Sequence, residues 1–240
     1  MKVELFIPCY IDQCTPQTAW NMVKILQQVG CEVSYNRKQT CCGQSAYQQG
    51  YRQEARDVAA KCLQDLHTSA AYIVVPSPSC VGMIRKSYAD LFGEDIPAHY
   101  AEIQRKTFEL SEFLIDVLGI KRVNEATLVG NAMYVESCAS RHECGIQDAP
   151  LKLLKNVAGL TLLEVPDTAV CCGFGGAFAT RFPAVATAMA EQKIDYATFG
   201  QADYLISTET ACLLHLEGYL KRQGKKIQCL HLADVLANGW

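Results

Sequence analysis

Long hydrophobic runs are absent from this 240-residue sequence. The longest, such as residues 72–76, are far shorter than the ~18 apolar residues that suggest a bilayer-spanning helix. Residues 1–7 carry a lysine and a glutamate around a very short apolar run, which is not the pattern of a secretory signal peptide. We therefore expect a cytoplasmic protein without a transmembrane segment, in a compartment where thiols stay reduced.

An excess of positive charge is also absent. The chain has 22 Lys and Arg against 25 Asp and Glu, a net charge of −3, with no long run of like charge. Nucleic-acid binding needs clustered basic residues, so we expect no nucleic-acid partner. Nucleotide motifs are lacking too: there is no P-loop, and the glycine-rich residues 173–176 do not belong to a G-x-G-x-x-G motif that follows a strand.

Cysteine is abundant, with 13 residues, and eight of them form a repeated pattern. A Cys-Cys-Gly motif occurs twice, and each copy lies between one upstream and one downstream cysteine. The intervals nearly match, at 32 and 33 residues upstream and 38 and 40 residues downstream. The two sets are Cys9, Cys41, Cys42 and Cys80, then Cys138, Cys171, Cys172 and Cys212. Adjacent cysteines cannot both face one core from a strand, so the repeat favours thiolate coordination of a metal centre over packing.

The spacing within the sets bears on which metal centre they would hold. Four thiolates can bind tetrahedral zinc or an iron–sulfur cluster. Structural zinc sites usually rest on paired C-x-x-C turns, and neither set contains one. Adjacent cysteines with two distant partners suit the several iron atoms of a cluster, so we favour iron–sulfur and keep zinc as the alternative. Four glycines beside the pairs would let backbone N–H groups approach a cluster: Gly43, Gly173, Gly175 and Gly176.

The order of apolar runs indicates an α/β fold of two similar, Rossmann-like halves. Strands are expected over residues 3–8, 31–35, 71–76, 127–135, 160–165 and 204–207. Helices are expected over residues 16–29, 46–66, 81–91, 108–118, 149–157 and 177–199. Strands that alternate with helices favour mostly parallel sheets covered by helices. We place the repeats at residues 1–122 and 123–240, with an insert near residues 93–99 in the first.

The position of the cysteines relative to these strands predicts where they meet. Cys9 and Cys80 closely follow expected strands, as do Cys138 and Cys212, and each Cys-Cys-Gly loop lies between a strand and a helix. Ligands of open parallel sheets collect outside the carboxyl ends of the strands. We therefore expect the four sulfurs of each set to converge on one rim.

This arrangement resembles the cysteine-rich CCG domain family. Its signature is a cysteine, then Cys-Cys-Gly, then a final C-x-x-C, with a few tens of residues in each gap. The family occurs in heterodisulfide reductase B and in iron–sulfur subunits of glycolate and glycerol-3-phosphate oxidation systems. The resemblance covers nearly the whole chain, and a two-repeat chain with nothing appended is most similar to the lactate-utilisation branch of the family.

The resemblance implies an iron–sulfur redox subunit with one or two clusters, of the [4Fe–4S] type, held by the two cysteine sets. It also implies a multi-subunit system that oxidises L-lactate to pyruvate, with other iron–sulfur or flavin subunits as partners. Two alternatives stay open. One is a thiol–disulfide or quinone reductase subunit with a substrate-reactive cluster, and the other is a zinc-stabilised binding module.

The chain departs from the family signature at the first position of each final C-x-x-C, where it has Ser77 and Glu209. Four cysteines per set remain, whereas five hold the non-cubane cluster of heterodisulfide reductase B. A cubane cluster or a modified site is therefore as compatible as the non-cubane form, and either residue is a candidate oxygen ligand. Cys144 is a candidate alternate ligand, while we expect Cys62 to pack in the core.

Two histidines near the second set are weaker candidates. His142, next to Arg141, could relay protons or bind a substrate carboxylate, or could simply lie in a solvated loop. His215 follows Cys212 by three residues, and a structural role is favoured for it.

Overall fold

Two four-stranded, all-parallel sheets form the centre of the protein. The computed structural model describes residues 1–123, 125–164 and 171–239. The first sheet has the spatial order β2-β1-β3-β4, with β1 (Lys2–Leu5), β2 (Glu32–Tyr35), β3 (Tyr72–Val75) and β4 (Thr107–Glu109). The second has the order β6-β5-β7-β8, with β5 (Thr127–Tyr134), β6 (Ala158–Leu162), β7 (Tyr204–Ser207) and β8 (Gln228–His231). The expected α/β class with two tandem parallel halves is confirmed.

Helices connect the strands, as the all-parallel pairing requires. Those of the first half are α1 (Cys9–Cys14), α2 (Pro16–Gln28), α3 (Gln44–Gln48), α4 (Arg52–Leu66), α5 (Pro78–Gly82), α6 (Tyr88–Phe92), α7 (Tyr100–Lys106) and α8 (Leu110–Glu112). Those of the second half are α9 (Asp148–Leu154), α10 (Ala177–Arg181), α11 (Pro183–Phe199), α12 (Thr210–Arg222) and α13 (Leu232–Leu236). Across the described ranges, no helix combines the length and apolarity needed to cross a membrane.

Three π-helical turns and one 3-10 turn complete the helical structure of the described residues. Met83–Ser87 joins α5 to α6, and Phe113–Val117 extends α8. The third π turn, Ala139–Cys144, directly follows Cys138, and the 3-10 turn is Gly93–Asp95. The helix expected over residues 81–91 is therefore present and starts earlier, at α5.

The first and third strands pair in the same way in both sheets. Val3 of β1 pairs with Tyr72 of β3, and Ala132 of β5 pairs with Tyr204 of β7. Equivalent residues therefore differ by 129 in the first strand of each half and by 132 in the third. The strand order reverses direction between β1 and β3 and again between β5 and β7, which makes the carboxyl ends of these pairs the two switch points of the fold.

Two of the expected long helices are interrupted, and in each the cause is local. Gly50 has a left-handed backbone (φ +85°), so α3 ends at Gln48 and α4 begins two residues after this glycine. Phe182 precedes Pro183 and takes a non-helical conformation (φ −129°, ψ 58°), which separates α10 from α11. The continuous helices over residues 46–66 and 177–199 are therefore wrong at these points.

The helix expected over residues 108–118 is wrong at its start. Thr107–Glu109 instead forms β4, which pairs with β3 at the edge of the sheet. Three residues are too few to show the alternation that indicates a strand. The helix α7 and the Gly93–Asp95 turn were not expected. The turn lies in the stretch predicted to be an insert, and α7 directly follows that stretch. The strand expected over residues 160–165 is observed as β6, and residue 165 lies outside the described ranges.

Each half has a buried apolar cluster of its own, and a third cluster is shared by both halves. It includes Ile25 and Leu26 of α2, Leu153 of α9 and Leu236 of α13, which are at most 1% exposed. The predicted repeat boundary at residues 122 and 123 stays a prediction, because this core joins the two halves.

Polar contacts reinforce the same interface between halves. The side chains of Thr18 and Asn21 donate hydrogen bonds to Asp234 of α13, at 3.0 and 2.9 Å. His231 directly precedes α13, and its Nε2 is 3.0 Å from the carbonyl oxygen of Pro76 in the first half. These contacts satisfy polar groups that are buried or partly buried between the halves.

Equivalent residues cap the helix that follows the last strand of each half. Glu109 ends β4, and its carboxylate accepts hydrogen bonds from the backbone N–H groups of Ser111 and Glu112. His231 ends β8, and its Nδ1 accepts from the N–H of Ala233 at 3.1 Å. Both side chains are buried, so each satisfies a helix terminus that water does not reach.

Burial raises the pKa of Glu109 to about 7, with hydrogen bonds from Ser111 and Glu112 acting in the opposite direction. The unfolded chain has a pKa near ~4.3 at this carboxyl. Between this pH and about 7, the folded state therefore keeps a proton that the unfolded chain has lost. The stability contributed by this proton is complete below pH 4 and is lost as the pH rises to about 7.

Replacement of Glu109 by Gln should remove this pH dependence. We expect the free energy of unfolding of the wild type to fall, relative to E109Q, by up to ~3 kcal/mol between pH 4.5 and 8. Urea denaturation of both proteins across this range measures the difference. Parallel pH profiles of the two proteins would contradict the assignment, and Glu94→Gln, on the exposed 3-10 turn, provides the control.

Candidate metal centres at the two switch points

The first cysteine site comprises Cys9, Cys41, Cys42 and Cys80. Cys9 begins α1 just after β1, and Cys80 lies in α5 just after β3, so parallel pairing of the two strands brings both to one rim. The Cys-Cys-Gly loop reaches the same rim from β2. The sulfur atoms of Cys9 and Cys41 are 3.8 Å apart, and those of Cys42 and Cys80 are 3.2 Å apart. All four residues line one small cleft.

The second cysteine site comprises Cys138, Cys171, Cys172 and Cys212, and it repeats this arrangement at the ends of β5 and β7. The sulfur atoms of Cys172 and Cys212 are 2.7 Å apart, and Cys138 hydrogen-bonds to Cys171. All four line a second cleft. The structure thus brings each predicted set together, and the role of the eight residues as metal ligands stays a prediction.

Glycine shapes both Cys-Cys-Gly turns. Gly43 and Gly173 have left-handed backbones, with φ of +84° and +90°. Their N–H groups donate to the sulfurs of Cys41 and Cys171, at 3.3 and 3.4 Å. A Cβ atom at Gly173 would lie 2.6 Å from the carbonyl oxygen of Ala186, far inside van der Waals contact. Only glycine therefore lets this loop pack against α11 and aim an N–H group at sulfur.

Gly175 and Gly176 line the second cleft, also with positive φ, of +50° and +58°. The equivalent loop of the first site continues directly into α3 and has no second glycine pair. Backbone is therefore more exposed to the second cleft than to the first. The role of all four predicted glycines in cofactor binding stays a prediction.

One cysteine in each site has its anionic form strongly stabilised. Hydrogen bonds from Cys42 and Cys9 lower the pKa of Cys41 to about 2, helped by the N–H of Gly43. Cys171 has its pKa lowered to about 2 in the same way, first by Cys138 and then by Cys172. The hydrogen-bonded partners have raised pKa values, because each keeps its proton and donates it in a hydrogen bond to the shared thiolate.

The donor set suits a thiophilic centre. Each cleft offers four sulfur ligands, one readily formed thiolate and a backbone N–H, which is the chemistry that iron–sulfur clusters and zinc share in proteins. Within the ranges that the structure describes, no group of three or more His, Cys, Asp or Glu is arranged to hold a single metal ion. The sulfurs of each site instead hydrogen-bond to one another.

Ser77 and Glu209, which replace cysteines of the family signature, meet each other between the two sites. The hydroxyl of Ser77 donates to the Glu209 carboxylate at 3.0 Å, and the N–H of Ser79 donates to it at the same distance. Glu209 is 5% exposed and lines both clefts. Sequence reasoning missed this contact, although the equivalent motif positions of the two residues were its one signal.

The remaining candidates have structural contacts. Arg141 forms an ion pair with Glu136 at 2.8 Å, and Cys144 donates a hydrogen bond to the carbonyl oxygen of Pro78 at 3.2 Å. The Nε2 of His215 lies 3.2 Å from the carbonyl oxygen of Ala186, which fits the structural role favoured for it. Cys62 is 1% exposed in the core, as expected.

The eight cysteines and their loops coincide with a known domain type. A cysteine-rich domain, CCG, matches residues 3–85 and 132–217, and each match contains one complete site. The chain belongs to the CCG cysteine-rich domain family. Each match begins within the first strand of one sheet and extends to the helix that carries the last cysteine, so the fourth strand of each sheet lies outside it.

Relatives in this family match the chain from end to end. Lactate utilization protein A of Geobacillus kaustophilus is 41% identical over 239 residues, which are 98% of each chain. Lactate utilization protein A 2 of Bacillus cereus is 39% identical over 244 residues, covering 100% of this chain and 99% of the relative. Among solved structures, an aspartate racemase homologue from Pyrococcus horikoshii covers 98% of this chain and 95% of its own, at 9% identity and a TM-score of 0.32. This last likeness is too low to bear on function.

Replacement of Gly173 by Ala should destabilise the protein more than the same change at Gly30. Both glycines have nearly the same φ, but a Cβ at Gly30 meets no atom within 4 Å. We expect Gly173→Ala to lower the free energy of unfolding by ~1–3 kcal/mol more than Gly30→Ala, because it adds a clash to the same backbone strain. Urea denaturation compares the two variants. Equal losses would show that Gly173 serves only the backbone conformation.

Proposed function

We propose that this chain is an iron–sulfur redox subunit of a multi-subunit system that oxidises L-lactate to pyruvate. The observation that carries the proposal is the convergence of two four-cysteine sets at the strand ends of two CCG domains. Relatives that are 39–41% identical over almost their whole length bear the name lactate utilization protein A. This name is the basis for proposing lactate as the substrate.

The first and second cysteine sites would each hold a [4Fe–4S] cluster, through the four sulfurs already grouped. Such a cluster, when bound, supplies transfer of single electrons. Zinc is the less favoured occupant, since neither site contains a C-x-x-C turn. Ser77 and Glu209 occupy the positions of the fifth ligands and are engaged with each other, which favours four-sulfur ligation.

The residues of the chain itself would stabilise negative charge at each site. The N–H groups of Gly43 and Gly173 donate to ligand sulfurs, and such hydrogen bonds raise the reduction potential of a cluster. Cys42, Cys80, Cys172 and Cys212 are buried, which keeps water from one side of each site. A dry, hydrogen-bonded site limits the rearrangement that accompanies electron transfer.

Partner subunits would oxidise the substrate. Conversion of lactate to pyruvate releases two electrons and two protons, and the two-electron step usually falls to a flavin or nicotinamide. The sequence has no motif for either cofactor, so we assign the two-electron step to a partner in the cytoplasm. The partners would be flavin subunits or other iron–sulfur subunits. This chain would accept the electrons one at a time.

Replacement of Cys42 or Cys172 by Ser tests the assignment one site at a time. After anaerobic purification we expect the wild type to be brown, with iron and sulfide in equal amounts, and each variant to lose about half of both. Each variant should also lack a different part of the electron paramagnetic resonance spectrum, because each removes one buried ligand.

Cys229→Ser is the matched control, since Cys229 is a half-buried cysteine of β8 outside both sites. It should keep the iron content and spectrum of the wild type. A colourless protein that holds only zinc after anaerobic purification would overturn the redox proposal and favour a zinc-stabilised binding module.

A further inference from the structure

The helices that pack behind the two sites differ at one buried position. Five buried residues of α4 correspond, at a constant offset of 131, to five buried residues of α11. Four of these pairs are apolar in both copies. The fifth pairs Cys62 with Lys193, which is 3% exposed. The same offset relates the two carbonyl groups that face the Cys-Cys-Gly glycines, those of Ala55 and Ala186.

Lys193 adjoins Ile194 of α11, which packs in one buried cluster with Cys172 and Cys212 of the second site. Burial lowers the pKa of its amine, and the neighbouring Cys172, Cys212 and Glu136 act in the opposite direction. Lys193 in turn favours the thiolate of Cys171. A buried charge is screened little by salt or water, so its effect on these sulfurs is larger than that of a surface lysine.

The other charged groups around the second site leave a net positive charge on its inner side. Glu136 forms an ion pair with Arg141 at 2.8 Å, so together with Lys193 the three groups sum to +1. By the strand offset of 129, Glu136 and Arg141 correspond to Ile7 and Asp12 in the first half. The equivalent positions at the first site therefore hold no cation.

Carboxylates near the second cleft act elsewhere or on both sites. Glu143 acts on Cys138 at the outer rim, and Lys86 opposes its charge. Glu209 lines both clefts and so does not distinguish them. Among the described residues, the buried lysine is thus the main electrostatic difference between the inner sulfurs of two sites that share the same fold.

We propose that Lys193 makes the second cysteine site the stronger electron acceptor of the two, so that an electron reaching the first site moves on to the second. A positive charge in a low-dielectric environment favours the more negative, reduced state of a centre. The clefts share Tyr10, Gln44, Ser45, Ser79 and Glu209 as walls, so the sites are adjacent. The first site loses the electron that the second gains. This inference rests on the proposed iron–sulfur function.

Redox titration of the anaerobic full-length protein, followed by electron paramagnetic resonance, tests the proposal. Cys42→Ser and Cys172→Ser assign each signal to its site. We expect the second site to have the higher reduction potential, and Lys193→Met to lower that potential by at least 59 mV, a tenfold change in a one-electron equilibrium. The potential of the first site should stay unchanged.

Charge variants separate electrostatics from damage to the fold. Lys193→Arg should keep most of the wild-type potential, and Glu136→Gln should raise the potential of the second site, since it removes a neighbouring negative charge. Lys61→Met removes an exposed lysine from α4 and should change neither site. A lower potential at the second site, or equal shifts of both sites in Lys193→Met, would overturn the proposal.

Alkylation of iron-free protein gives a second readout. The rate ratio of anionic iodoacetate to neutral iodoacetamide reports the local potential, and mass spectrometry measures it for each cysteine. We expect a ratio several-fold higher at Cys171 than at Cys41, and its loss in Lys193→Met. Equal ratios would overturn the charge asymmetry itself, whereas protein that never binds iron would overturn the proposed function and leave this readout intact.

Discussion

Parallel pairing of β1 with β3, and of β5 with β7, is the constraint on which both cysteine sites depend. Cys9 and Cys80 are 71 positions apart in the sequence, and only the register of neighbouring strands brings the residues just beyond their ends together. The outer cysteines of each set, Cys9 and Cys80, then Cys138 and Cys212, need no long loops, because each lies within a few residues of a strand end. These four cysteines are therefore held in place by the ends of the sheets.

Much of this arrangement could be predicted from the sequence, because it is encoded in spacing. The duplicated Cys-Cys-Gly motif predicted which cysteines would meet, and the apolar run over residues 204–207 matches β7 in full. Local geometry was harder to predict. The break at Gly50 looks like a tolerated glycine in a run of good helix formers, and the three residues of β4 are too short to show a period.

Contacts between the two halves were beyond the reach of sequence reasoning. Nothing in the neighbourhood of Glu209 indicates that its carboxylate binds the turn at Ser77, 132 residues away. Lys193 lies in an otherwise small and apolar helix face, where a lysine would ordinarily be assigned to the surface. The roles of Glu209 and Lys193 become visible only when equivalent positions of the two halves are compared in the structure.

The hydrogen bonds between Glu209 and the turn at Ser77 and Ser79 have a consequence for how the chain can vary. Ser77 and Glu209, at the two signature positions that lack cysteine, form one hydrogen bond between the two halves. A substitution at either position is therefore felt in both copies at once, leaving a buried partner unsatisfied on the far side. The duplicated halves can diverge in sequence over most of their surfaces, but at this contact a change in one half requires a compensating change in the other.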